Sequence, residues 1–309
     1  MPKAVGPVAW VESPLQLIGA AEWAHARSTR VDLAGRLAVQ VEQTAAELNA
    51  RGAMFGEQAG FYGIPWGMLR SHDHWLVGDG FSGQFRLAVA VLRPRRLTFL
   101  DDGLNAVAFA DALTGARAFQ RPGVVERGLT RRVAPFALDA VRLRAARGAV
   151  DLFTAFPLGE ARAEALADLG VTTARHDFPW LRGTRPSDDL QARMRHARVI
   201  LGSAGVVDGR MPRADYLAWV ADQAREEPAS YLPHRREPEG LLDDVGRVPG
   251  IDVVRTGLPI EAVLAGDARP REIVTLPSSA AVTLRRILAG TGSVLREHER
   301  RGTTREAAR

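Results

Sequence analysis

The 309-residue sequence contains no cysteine, and Lys3 is the only lysine among its 41 basic residues. The chain therefore has no disulfide bond, no thiolate metal ligand and no cysteine nucleophile, and its composition suits a reducing compartment. The first residues, MPKAVGPVAWVESP, lack a charged segment followed by a long apolar run, so we expect no secretory signal. No apolar run approaches the length that spans a bilayer. These absences predict a cytoplasmic protein.

Arginine supplies nearly all of the positive charge, and the formal net charge is +5. It is concentrated at residues 93–96, 142–147 and 296–309. Genomic base composition is the simplest explanation, and attraction to nucleotides, acidic glycans or membrane surfaces is the functional one. No nucleic-acid motif accompanies the charge, so we expect no nucleic-acid partner. A peripheral contact between this basic surface and the inner face of the cell membrane is compatible with the pattern, and the sequence gives no oligomeric state.

Apolar, strand-like runs alternate with helix-patterned segments, which indicates a parallel α/β architecture. The strand candidates are residues 8–11, 74–77, 97–100, 150–154, 199–202, 230–233, 252–255 and 272–276. The helix candidates are the segment from Glu12 to Arg27, with Ser13 as its N-cap, and residues 39–50, 158–169, 213–226, 260–264 and 280–288. Gly, Pro, Ser and Asp interrupt the pattern at 180–189. We therefore predict one domain over residues 1–185 and another over 186–309.

Three short polar motifs each follow a strand-like run. Asp101 and Asp102 follow RRLTFL, His234 follows ASYLP, and Ser278 and Ser279 follow EIVTLP. In an open α/β sheet the carboxyl ends of the strands form the crevice where ligands bind. An acid, an imidazole and two hydroxyls at that edge are typical of a general base, a leaving-group stabiliser and a phosphate site. The pattern predicts a group-transfer enzyme that acts on a phosphate-activated donor.

Each motif also has a simpler structural interpretation. Asp-Gly is a common turn, and serine before an alanine-rich helix is a common N-cap. A serine at a helix start is also compatible with phosphate binding. A histidine near its ordinary pKa can give a departing phosphate a proton or a hydrogen bond, and Arg235 and Arg236 add attraction to it. The other six histidines, including His176 and the pair His72 and His74, show no strong local constellation.

Taken in order, the motifs resemble those of bacterial sialyltransferases and polysialyltransferases of the GT-B type. The resemblance is greatest to glycosyltransferase family 52 and the related α-2,8-polysialyltransferase group, and it spans Val8 to about Leu288. The motifs are ESPLQLIGAAEW, Asp101-Asp102-Gly103, VILGSAGVVDGRMPRADYL, YLPHRRE, LPIEAVL and PSSAAVTL. The family's His-Pro pair is His-Arg here, with Arg235 in place of a proline that would fix the backbone. The sequence alone therefore leaves the pose of His234 open.

The resemblance implies an α/β fold of the GT-B class, with two Rossmann-like domains facing a central cleft. The N-terminal domain would hold the acceptor and the general base, and the C-terminal domain, with its basic tail, would hold the donor. The implied reaction is an inverting, metal-independent transfer of sialic acid or a related nonulosonic acid. The acid would move from a CMP-activated donor to a glycan hydroxyl, with no cofactor.

In the N-terminal half, the resemblance implies that Asp101 takes the proton of the acceptor hydroxyl. Asp102 would orient Asp101 or the neighbouring loop. Ser13 and Gln16 would lie on the acceptor or sugar side of the cleft.

In the C-terminal half, the resemblance implies contacts with CMP. His234 would stabilise or protonate the departing phosphate, with Arg235 beside it. Ser278 and Ser279 would bind the same phosphate, and Glu261 would hydrogen-bond the ribose hydroxyls.

Two alternatives stay open. The first keeps the fold and changes the donor, for example to CMP-Kdo or a UDP-sugar. The second is a non-catalytic relative that binds a nucleotide or a glycan. The acceptor, the linkage and the choice between single and polymeric transfer are not encoded in these motifs.

Overall fold

The computed structural model describes residues 6–101, 103–267, 269 and 271–298, and of Leu129 it describes only the backbone. The chain forms two compact units. The first contains the chain up to Ser187 together with Gly257–Gly266, and the second contains Asp188–Thr256 and the chain from Asp267 onward. The division differs from the one expected from the sequence mainly in Gly257–Gly266, which was expected in the second domain.

The strands of both units are short and mostly buried. In chain order they are β1 (Val8–Val11), β2 (Val31–Arg36), β3 (Phe55–Phe61), β4 (His74–Val77), β5 (Arg96–Phe99), β6 (Val150–Thr154), β7 (Val171–Arg175), β8 (Arg198–Leu201), β9 (Ala229–Leu232), β10 (Ile251–Val253), β11 (Glu272–Thr275) and β12 (Val294–Glu297).

Helices connect most of these strands. They are α1 (Pro14–Ala26), α2 (Val39–Ala50), α3 (Trp66–Ser71), α4 (Gly83–Leu92), α5 (Asn105–Thr114), α6 (Gly128–Ala145), α7 (Glu160–Asp168), α8 (Pro179–Gly183), α9 (Asp188–Arg193), α10 (Arg213–Ala224), α11 (Glu239–Gly246), α12 (Ile260–Leu264) and α13 (Ala280–Ile287). Among the residues described, no helix combines the length and the apolar character needed to cross a bilayer.

The first unit is built on a seven-stranded parallel sheet in the order β3-β2-β1-β4-β5-β6-β7. In its centre, Ala9 of β1 pairs with Leu33 of β2 and with Leu76 of β4. The central strands are mostly apolar, as expected for a parallel sheet with both faces covered by helices. Buried aromatic side chains fill much of the core, including Trp75 and Phe85.

The second unit has a five-stranded parallel sheet in the order β10-β9-β8-β11-β12. Its core contains Tyr216 and Trp219 of α10 and Tyr231 of β9. In both sheets the strand order reverses once, between β1 and β4 in the first and between β8 and β11 in the second. Such reversals are the positions where Rossmann-like sheets bind ligands, at the carboxyl ends of the strands.

Candidate functional site

Asp101 lies at the carboxyl edge of the first sheet, two residues after β5, and both of its carboxylate oxygens accept hydrogen bonds. One oxygen accepts a hydrogen bond from the Thr154 hydroxyl at the end of β6. The other accepts from the Ala155 backbone N–H at 2.7 Å and lies 3.2 Å from Nε2 of His176. Because β5, β6 and β7 are adjacent and parallel, their ends bring these groups together. Asp101 is only 1% exposed.

His176 is a site residue that the sequence interpretation missed. It follows β7 directly, and its ring stacks on Phe153 with a centroid distance of 4.5 Å and packs edge-on against Phe178. Its Nδ1 atom is buried and has no hydrogen-bond partner among the residues that the structure describes. A strand prediction for VTTAR would have placed His176 at the carboxyl end of a strand. This segment was not among the strand candidates.

The carboxylate–imidazole pair formed by Asp101 and His176 is chemically suited to take up a proton, because the carboxylate stabilises the imidazolium that forms. In this structure both side chains are enclosed, with His176 only 6% exposed. An acceptor hydroxyl can reach the pair only after the covering side chains shift. Asp102, the second acid of the motif, lies outside the described residues.

A small cavity lies at the same edge, beside Thr154. Its polar lining comes from Asp79, Asn105 and Thr154, and phenylalanine rings form much of the rest. Asp79 lies in a Gly-Asp-Gly turn after β4, a signal that the sequence interpretation did not use. Its carboxylate accepts from the Phe81 backbone N–H at 2.9 Å and pairs with an arginine, Arg121, so the turn is held in place.

The two predicted acceptor-side residues lie at the start of α1. The Ser13 hydroxyl accepts from the Gln16 backbone N–H at 3.5 Å and caps the helix. The Gln16 side chain accepts from the Glu12 backbone N–H at 2.7 Å and is buried. A Cβ atom on Gly78 would lie 2.2 Å from the Gln16 amide oxygen, so Gln16 packs against the end of β4. Both residues therefore have structural contacts that are sufficient to explain them.

In the second unit, His234 opens a tight turn after β9. The Glu237 backbone N–H donates to the His234 carbonyl at 2.9 Å, and the His234 backbone N–H donates to the Glu237 carboxylate at 2.7 Å. Arg235 occupies the second position of this turn, which favours proline. The two bonds between His234 and Glu237 hold the turn with arginine at that position.

The ring of His234 is set for hydrogen bonding through Nε2. The Arg236 backbone N–H donates to Nδ1 at 3.2 Å, so a neutral ring carries its proton on Nε2. Burial, followed by the charges of Arg235 and Arg236, lowers the pKa of His234. The neutral form therefore prevails at neutral pH. Of the two roles expected for His234, the geometry favours a hydrogen-bond donor over a proton donor.

The arginines near His234 differ in their availability. Arg236 and Arg210 both pair with the carboxylate of Asp208. Arg235 is exposed, and its guanidinium has no ion-pair partner within the described part of the chain. An anion beside His234 would therefore meet Arg235 as the free positive charge.

Beneath the turn, Glu237 belongs to a buried polar cluster with Tyr216 and Tyr231. One carboxylate oxygen accepts from the Tyr216 hydroxyl at 2.9 Å and from the Tyr231 hydroxyl at 2.6 Å, and the two hydroxyls lie 2.5 Å apart. A Cβ atom on Gly202 would lie 2.2 Å from the other oxygen and 2.5 Å from the His234 backbone nitrogen. Glycine at the end of β8 thus leaves the room that this arrangement needs.

Ser278 and Ser279 lie at the start of α13, after β11, and both are exposed. The Ser279 hydroxyl makes no capping bond to the helix, so helix capping does not explain this serine. β11 borders the strand-order reversal of the second sheet, and β9, which leads to His234, lies on the other side of β8. Two strand spacings of about 4.8 Å separate β9 from β11, or roughly 10 Å.

Glu261 belongs to the first unit with α12, whereas His234, Ser278 and Ser279 belong to the second. The guanidinium of Arg51, the residue after α2, donates to the Ala262 carbonyl at 2.6 Å and to the Ala265 carbonyl at 3.3 Å. Gly257 and Gly266 at the ends of the segment leave no room for a side chain against the first unit. The expectation that Glu261 lies in the donor domain is therefore corrected, and its side chain is buried.

Within the described residues, no three histidine, aspartate or glutamate side chains come together as metal ligands. His72 of the H-x-H pair lies 3.0 Å from the Asp32 carboxylate, and His74 lies 2.9 Å from the Thr98 hydroxyl. Burial lowers the pKa of His74 to about 4, so its ring is neutral at physiological pH. The pair is explained by hydrogen bonding.

Comparison with known proteins extends the description of the fold. The sequence matches no protein-family model and no curated protein sequence. Phytolacca americana UGT2 complexed with UDP-2fluoro-glucose and pterostilbene is similar in structure, with a TM-score of 0.51 and 14% identity over 95% of this chain and 80% of that one. A UDP-glucose: anthocyanidin 3-O-glucosyltransferase in complex with UDP gives a TM-score of 0.44 at 14% identity, covering 96% and 80%. The predicted α/β, GT-B fold class is confirmed at the level of fold.

Proposed function

We propose that this protein is an inverting glycosyltransferase that moves a nonulosonic acid from a CMP-activated donor to a glycan hydroxyl. The observation that carries the proposal is a set of hydrogen-bond donors and positive charge at the carboxyl edge of the second sheet. These are the Nε2–H of His234, the guanidinium of Arg235, which has no ion-pair partner among the described residues, and the exposed hydroxyls of Ser278 and Ser279 at the start of α13. A phosphate fits such a set because each group donates a hydrogen bond or supplies positive charge.

In the proposed reaction, the acceptor oxygen attacks the anomeric carbon from the face opposite to the phosphate. A bond forms between that carbon and the acceptor oxygen, and the bond between the carbon and the phosphate oxygen breaks. CMP leaves with the electron pair, and its developing charge meets His234, Arg235 and the serines. The acceptor proton passes to the Asp101–His176 pair, which requires the side chains over the pair to shift when the acceptor binds.

A second donor class has one specific observation in its favour. The similar Phytolacca americana structure is a complex with a UDP-sugar analogue. The phosphate-binding groups described above do not distinguish a monophosphate from a diphosphate donor. The preference for CMP rests on the resemblance of the ordered motifs.

We expect the protein to release CMP from CMP-sialic acid in the presence of EDTA, and to release UDP from UDP-glucose far more slowly. The reason is that protein groups, not a metal ion, would neutralise the phosphate in the proposed site. Nucleotide release is measured by chromatography for CMP-sialic acid, CMP-Kdo and UDP-glucose, each with and without EDTA.

Three results would count against the proposal. Activity that EDTA removes and magnesium or manganese restores would favour a metal-dependent transferase. Faster release from UDP-glucose would favour the second donor class. Binding of CMP without any release would favour the non-catalytic relative.

A further inference from the structure

Glu237 is a buried acid that the proposed reaction does not use directly. It is 8% exposed, and burial raises its pKa while four hydrogen bonds oppose that rise. The donors are the hydroxyls of Tyr231 and Tyr216 and the backbone N–H groups of His234 and Ser203. An acid that receives so many donors acts as a fixed acceptor.

The cluster connects the His234 turn to β8, β9 and α10. Ser203 follows β8, Tyr231 belongs to β9, and Tyr216 belongs to α10. Burial raises the pKa of both tyrosines, so their hydroxyls stay protonated and can donate. The Ser203 backbone N–H also donates to the Tyr216 hydroxyl at 3.1 Å. The His234 turn is therefore attached through one carboxylate to two strands and a helix.

We propose that Glu237 is a positioning residue, which with Tyr216 and Tyr231 holds the His234 turn so that Nε2–H points to the donor phosphate. This inference rests on the proposed role of His234 in phosphate binding. Glu237 closes the turn on both sides: its carboxylate takes the His234 N–H, and its backbone N–H binds the His234 carbonyl. Within that turn the Arg236 N–H occupies Nδ1 and leaves Nε2–H for the ligand.

The test compares Glu237→Gln with Glu239→Gln, alone and in a His234→Ala background. Glu239 is an exposed acid two residues away that pairs with Arg255, so it controls for the change of charge. Calorimetry gives the affinities for CMP and cytidine, and their ratio reports contact with the phosphate. We expect Glu237→Gln to lower the ratio about tenfold, because the hydrogen bond from Nε2–H of His234 to the charged phosphate weakens. Glu239→Gln should leave it unchanged, and in the His234→Ala background Glu237→Gln should cause no further loss.

The outcomes separate the inference from the function on which it rests. If His234→Ala lowers the ratio and Glu237→Gln does not, the positioning role is wrong while the phosphate site stands. If His234→Ala leaves the ratio unchanged, the phosphate role of His234 fails and the inference fails with it. If Glu237→Gln lowers the ratio by the same factor in the His234→Ala background as in the wild type, the positioning role is also wrong.

A second measurement does not depend on the folding of the Glu237→Gln variant. Nitrogen-15 NMR of the histidine rings in the wild-type protein shows which ring nitrogen of His234 carries the proton. We expect protonation at Nε2, and in Tyr231→Phe, which loses one hydroxyl donor, a mixture of the two tautomers. Protonation at Nδ1 in the wild type would overturn the inference.

Discussion

Asp101→Asn should lower the turnover number by about 10²–10⁴-fold, which is the usual contribution of a general base. The amide keeps the size of the side chain, and its single oxygen can still accept from the Ala155 backbone N–H, while its NH2 group would face the Thr154 hydroxyl. It cannot hold a negative charge beside His176 or take up a proton. CMP affinity should change little, because Asp101 is not among the proposed phosphate-binding groups. Steady-state kinetics and a CMP titration of the same preparation measure both quantities.

The competing explanation is that Asp101 only ties together the ends of β5, β6 and β7. Asp151→Asn is a matched control, because Asp151 is a buried acid of β6 that pairs with Arg96 and has no predicted catalytic role. If Asp101 is structural, both variants should lose thermal stability to a similar degree and turnover should fall only with the folded fraction. A fall in CMP affinity as large as the fall in turnover would contradict the base assignment.

Replacing both Ser278 and Ser279 with alanine should weaken CMP binding by about tenfold to hundredfold, because hydrogen bonds to a charged phosphate are lost. The backbone amides at the start of α13 remain, which limits the loss. Cytidine, which lacks the phosphate, should bind the wild type and the double variant equally. Thermal stability should change little, since the Ser279 hydroxyl makes no capping bond.

Ser71→Ala provides the control for this experiment, because Ser71 is an exposed serine of the first unit whose hydroxyl bonds only within its own region. Calorimetry with CMP and cytidine on all three proteins decides the outcome. A preference for CMP over cytidine that is the same in the double variant and the wild type would defeat the phosphate-binding interpretation of the serines.

The central strands were predictable because their signal is local. VAWV is apolar and HWLV and VDLFT are mostly so, and the structure has strands at the predicted residues. β7 was missed because VTTAR is polar and mostly exposed at the sheet edge. α6 was missed because Pro135, a residue that usually ends a helix, lies inside it.

The site was predictable only in part, because motifs identify residues and not their long-range contacts. The sequence places Asp101 and His234 after strands, as the structure does. It does not show that His176, 75 residues away, contacts Asp101, or that Glu237 takes the backbone N–H of His234. The assignment of Glu261 to the donor domain was wrong because residues 257–266 pack on α2, a contact that spacing along the chain does not reveal.

The most direct test of the central claim is a calorimetric titration of the wild-type protein with CMP, CDP, UDP and cytidine in one buffer containing EDTA. The proposed site binds a cytidine nucleotide through its phosphate, so CMP should bind more tightly than cytidine and more tightly than UDP. Tight binding of UDP with no measurable binding of CMP would contradict the account.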